Sequence, residues 1–134
     1  MPVPPAVITV IREWLAKADN DLKTAAHTLT LGRGTPTDTV CFHAQQCAEK
    51  YLKARLEEAG IAFGRTHNLT SLLTLALAVE PTWTVLQPHL TALNIYAVAF
   101  RYPGSSATKS NAANALKAGR EVRRIVRQSF DLSV

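Results

Sequence analysis

Asp38-Thr39-Val40-Cys41-Phe42-His43-Ala44-Gln45-Gln46-Cys47-Ala48-Glu49-Lys50-Tyr51-Leu52-Lys53-Ala54-Arg55-Leu56-Glu57-Glu58-Ala59-Gly60 is the stretch whose reading decides the fold. Val40, Ala44, Cys47, Ala48, Tyr51, Leu52 and Leu56 recur at steps of three and four residues, which lines them along one side of a helix. Asp38 is suited to cap the front of that helix, and Gly60 to stop it after Ala59. The period is helical and excludes a strand here; no other segment alternates convincingly either.

Working outward, the same period predicts further helices over residues 9–31, 69–79, 84–101 and 110–130. In the first, Ile11, Leu15, Ala18, Leu22, Ala25, Ala26 and Leu29 share a face, and Gly32 ends it. Residues 32–37 are loop by composition. Pro81 follows the third helix, and Pro88 bends or restarts the fourth. Tyr102-Pro103-Gly104-Ser105-Ser106 reads as a turn, and the last helix turns Ala112, Ala115, Val122, Ile125 and Val126 inward. Short connections between long amphipathic helices predict an all-α protein. The expected architecture is an up-and-down four-helix bundle with an additional short helix, about five helices in all. One domain spans 1–134, with 1–8 as an N-terminal tail.

Composition agrees with that picture. The 134 residues are 47% hydrophobic and 19% charged, which is too apolar for a disordered chain and long enough for one core. Cys41 and Cys47 lie about 120° apart around one helix, so they neither bridge nor chelate, and they read as buried thiols of a reducing compartment. The N-terminus lacks a basic leader. The longest uncharged stretch, 81–100, carries Gln87, Pro88, His89 and Asn94, which a bilayer penalises. A cytoplasmic protein with no membrane attachment is the expectation.

Charge is unevenly spread. Residues 1–100 hold eight Lys/Arg against eight Asp/Glu, whereas 101–134 hold seven against two. Lys117, Arg120, Arg124 and Arg127, with Arg123 beside them, recur at helical spacing as a basic stripe. Such a stripe suits a phosphate backbone or an acidic partner, and equally a solvated face. His43, Gln46, Lys50 and Lys53 form a second polar line, with His43 and Lys50 roughly 10 Å apart along the axis. A phosphate can use both, though a solvated face with one histidine tucked against a neighbour gives the same spacing. Asn94 and Arg101 share a face of the fourth helix. Asn94 needs a partner on so apolar a helix, and Arg101 complements the helix end. In Arg65-Thr66-His67-Asn68, Thr66 or Asn68 suits a cap, while Arg65 and His67 beside a helix N-terminus suit an anion.

The sequence lacks a phosphate-binding loop, a dinucleotide glycine motif, a zinc-protease motif and a serine elbow. Its four histidines stand on four segments without carboxylates at chelating spacing, so neither a metal nor another cofactor is expected. A nucleophilic cysteine beside His43 is disfavoured by the placement of Cys47 in the apolar stripe.

Asp38-x-x-Cys41-Phe42-His43-Ala44-Gln45-Gln46-x-Ala48-Glu49-Lys50-x-x-Lys53-Ala54 resembles the signature of HEPN domains, the higher eukaryote and prokaryote nucleotide-binding family. Three further segments are similar to that family, in the same order. They are Trp14-Leu15-x-x-Ala18-x-x-Asp21-Leu22-x-x-Ala25, Arg65-Thr66-His67-Asn68-Leu69 and Leu93-Asn94-x-Tyr96-x-x-x-x-Arg101-Tyr102-Pro103. The resemblance covers nearly the whole chain. It implies a helical bundle, commonly a homodimer, often working with a minimal nucleotidyltransferase in toxin–antitoxin modules. It also implies a nucleotide- or RNA-phosphate-binding cleft lined by His43, Lys50, Arg65, His67, Asn94 and Arg101, with Tyr102 available to stack. Some members are metal-independent ribonucleases that use an arginine followed four to six residues later by a histidine. That pairing is absent here: at the needed spacing after Arg101 stand Ser106, Ala107 and Thr108, and no other arginine has a histidine there. The enzyme alternative is therefore a ribonuclease with an atypical site of Arg101, His43 and Asn94. A non-catalytic dimeric scaffold for a protein partner is the third reading.

Overall fold

A computed structural model describes residues 3–100 and 102–130. Among them are five α-helices and one 3-10 helix: α1 (Pro5–Leu29), α2 (Thr37–Ala59), α3 (Leu69–Ala76), the 3-10 segment (Pro81–Leu86), α4 (Gln87–Ala99) and α5 (Lys109–Gln128). The protein is all-α, as the periodicity requires. Helix α2 lies at the centre and packs against α1, α5, α4 and α3. Its whole apolar stripe is sealed: Val40, Ala44, Cys47, Ala48, Tyr51, Leu52 and Leu56 have no exposed surface.

The helix ends depart from expectation for identifiable reasons. The predicted tail is shorter, because α1 begins at Pro5, where a missing N–H costs nothing in a first turn. Asp38 is not the cap of α2: the helix starts one residue earlier, after Pro36. The Asp38 carboxylate instead accepts the Ala107 N–H at 2.6 Å, and Thr37 Oγ1 donates to the Ala107 carbonyl at 2.6 Å. The start of α2 therefore clasps the loop that leads into α5. At the other end Gly60 closes α2 in the left-handed conformation (φ 71°), as read from the sequence.

Helix α3 stops at Ala76 rather than 79, and a turn leads to the extended Glu80 that must precede Pro81. The fourth helix restarts at Pro88: residues 81–86 form the 3-10 turn, and α4 begins at Gln87 with the proline in its first turn. Helix α5 is set one residue early by Thr108, whose side chain and that of Asn111 bond reciprocally to each other's backbone N–H. Among the described residues no helix is long and apolar enough to cross a membrane.

Candidate functional site

The predicted polar line on α2 divides into two flanks once its neighbours are in place. On the α1 side, Asp21 is nearly buried and gives one oxygen to each of two α2 residues. His43 Nδ1 donates to Oδ1 at 2.8 Å, and the Lys50 ammonium pairs with Oδ2. An ionised carboxylate only accepts, so Nδ1 carries the proton and Nε2 of neutral His43 is left as an acceptor. Lys50, expected to hold phosphate, already has an internal counter-ion. Neither residue is on a solvated face, since their side chains are only 25% and 20% exposed.

Asp19, two residues before Asp21 on α1, organises α5. Arg123 Nε and an Arg127 terminal nitrogen each donate to it at 2.9 Å, and the Tyr51 hydroxyl also donates to it. Arg127 Nε donates to the Tyr51 oxygen at 3.1 Å. Burial raises the Asp19 carboxyl, but the three donors and the Arg123 charge outweigh it and hold it below the ordinary value. Burial, with Asp19 beside it, pushes the Tyr51 hydroxyl well up. Two of these five basic residues, Arg123 and Arg127, are thus part of the bundle's own framework. Arg124 pairs with Glu121 along α5, and Lys117 and Arg120 stay exposed.

The other flank of α2 is different. Glu49 and Lys53 form a buried ion pair at 3.1 Å, and the ammonium lies 5.7 and 5.6 Å from the Trp14 and Phe63 ring centres. Glu49 also accepts from His67 Nδ1 at 3.0 Å. Above this pair opens a groove of about 560 Å³ lined by Phe42, Gln45, Gln46, His67, Asn68, Asn94 and Val98. Its far side is the start of α3. Asn68 Oδ1 caps α3 by accepting from Thr70 and Ser71, and Asn94 reaches over from α4 to accept the Leu69 N–H at 3.1 Å. Asn94 Nδ2 donates to Asn68 Oδ1 at 3.1 Å.

The model of the HEPN domain family matches residues 11–129. This chain belongs to the HEPN family. The HEPN chain is similar to the crystal structure of the Thermus thermophilus protein TT1696, at 26% identity and TM-score 0.76, over 90% of this chain and 98% of that one. It shares its fold with ST0689, an archaeal HEPN homologue, at 23% identity and TM-score 0.67, over 88% and 95% of the two chains. No curated protein matches it.

Of the seven residues expected to line a cleft in this HEPN domain, His67 and Asn94 meet in the groove, while His43 and Lys50 meet at Asp21. Arg65 is exposed on the turn before α3, and Tyr102 is exposed in the turn after α4. Arg101 lies outside the described residues. Sequence reasoning missed Asp19, Asp21 and Glu49, the three carboxylates around which the polar groups assemble. A mid-helix carboxylate at an otherwise apolar step, such as Asp21 between Ala18 and Ala25, was the available signal. Both cysteines are buried, and burial pushes the Cys41 thiol up to about 11 and Cys47 further, so neither is an activated nucleophile.

Proposed function

We propose that this HEPN protein binds a nucleotide, free or as part of an RNA, in the groove between α2, α3 and α4. It would do so as the non-catalytic accessory subunit of a nucleotidyltransferase module. The observation that carries the reading is the convergence of His67, from the loop before α3, and Asn94, from α4, on one groove. His67 at the groove and Arg65, exposed two residues before it in the chain, would supply donor groups for phosphate, where arginine offers a two-pronged contact. A homodimer, the assembly common in the family, is the natural one, and Ile95, which does not line the groove, exposes apolar surface (58%) for it.

Calorimetric titration with ATP and a short RNA tests this. Binding should weaken about tenfold in Arg65→Ala and in Arg101→Ala, and should decline with salt. Binding that survives both changes and falls steeply with salt would point to the exposed part of the basic stripe instead. Absence of binding would leave the scaffold reading. One observation favours the ribonuclease reading, namely His43 held by Asp21 with Nε2 left for proton transfer. Cleavage of RNA in the presence of a chelator, lost in His43→Ala, would establish it.

A further inference from the structure

We infer that the groove is a nucleobase slot that selects adenine by its hydrogen-bonding edge, with the phosphate held outside it. This rests on the nucleotide-binding reading and goes on to say which part of the nucleotide the groove reads. Among the described residues no lysine or arginine lines the groove, whereas Gln45, Gln46, Asn68 and Asn94 do, with His67 at the edge. An array of neutral amides attracts no phosphate, but each amide carries both a donor and an acceptor.

The orientation of those amides is dictated from beneath. Gln45 Nε2 faces two groups that only accept, the His67 carbonyl at 3.1 Å and, at a long 3.5 Å, the Glu49 carboxylate. Its oxygen must therefore point to Gln46, which donates to it at 2.7 Å. That donation uses one N–H of Gln46. Among the described residues nothing engages its second N–H or its Oε1, so one amide presents an adjacent donor and acceptor. Asn68 spends its oxygen on the α3 N-terminus and on Asn94, and among the described residues nothing engages its own NH2. Asn94 keeps one N–H. Phe42 and Val98 flank the array as exposed apolar walls, 48% and 64% accessible, against which a flat ring can lie.

A glutamine amide pairs in two-pronged fashion with the adjacent amino donor and ring-nitrogen acceptor of adenine, whereas the corresponding acceptor pair of guanine calls for arginine or lysine. The groove offers the first and lacks the second.

Calorimetry on the full chain with adenosine, guanosine and ribose 5-phosphate reads the proposal directly. Adenosine should bind roughly tenfold tighter than guanosine, and ribose 5-phosphate more weakly than adenosine. Adenosine affinity should change less than about twofold between low and high salt. Gln46→Leu and Phe42→Ala should each weaken adenosine about tenfold, with helical content unchanged by circular dichroism. Should Gln46→Leu fail to fold, Phe42→Ala and the comparison of the three ligands decide. Equal affinity for the two nucleosides, or adenosine binding indifferent to Phe42→Ala, overturns the base slot. If ATP still binds in that case, the nucleotide reading survives without it. Failure of ATP and adenosine alike removes both.

Discussion

The two polar flanks of α2 use their polar groups in opposite ways. Toward α1 and α5, Asp19 and Asp21 have both oxygens engaged, and the cations that face them, Lys50, Arg123 and Arg127, are neutralised within the bundle. Toward α3 and α4, the charges Glu49 and Lys53 are sealed below the surface, and the polar side chains that line the groove are mostly amides. An ion pair consumes both partners, whereas an amide that makes one structural bond still has a donor or acceptor to offer. The charge-rich flank therefore holds the helices together, and the nearly neutral flank is the one proposed to receive a ligand.

The largest expected effect separates the flanks at their base. Glu49→Ala strands the Lys53 ammonium, only 6% exposed, without its counter-ion. A loss of about 3–5 kcal/mol in urea unfolding is expected, the usual consequence of breaking a buried pair from one side. A loss below about 1 kcal/mol would mean that the Trp14 and Phe63 rings and water carry the charge unaided.

Asp19→Ala probes the opposite flank with a smaller effect, about 2 kcal/mol, because Arg123 is 39% exposed and water compensates part of the loss. This site also has a pH signature. Its carboxyl is held below the ordinary value, so its contribution is complete above the unfolded pKa of ~3.9 and is lost as pH falls through the lower native one. Thermal melts of the wild type should decline on acidification through that window, and the decline should be shallower in Asp19→Ala. Parallel acid limbs in the two proteins would show that Asp19 is not what couples α1 to α5.

The smallest effect sharpens the account of the groove. Asn94→Ala removes the acceptor for the Leu69 N–H but leaves the Asn68 cap in place, so about 1 kcal/mol should be lost. Amide hydrogen exchange should quicken at Leu69 and its neighbours in α3 while α1 and α5 are unchanged. Slow exchange at Leu69 in that variant would mean that Asn94 is not what holds the α3 edge of the groove.

How much of this was legible in the sequence depends on the range over which the determining interactions act. Helix existence, the apolar stripe of α2 and the stop at Gly60 follow from a repeat and a backbone preference within a few residues, and the chain states them plainly. Boundaries at Pro5, Asp38 and Gln87 were less legible, because capping competes with contacts from elsewhere: Asp38 answers to Ala107, 69 residues away. In the site, the helical spacing of His43, Gln46, Lys50 and Lys53 was correct, but spacing on one helix does not say which neighbour each residue will face. Lys50 turned to Asp21, Lys53 to Glu49, and Gln46 to Gln45 at the groove.

The sequence by itself determined that this is a helical bundle, and its motifs carried the family. Hydrophobic periodicity is local, and burying one stripe per helix leaves little freedom in class of fold. Only the tertiary structure decided which polar groups are spent and which remain open. Arg123 and Arg127 reach Asp19 across 104 and 108 residues, and Asn94 reaches Leu69 across 25. Such pairings depend on how the helices are rotated about their axes and how they cross, which the packing of all of them fixes together.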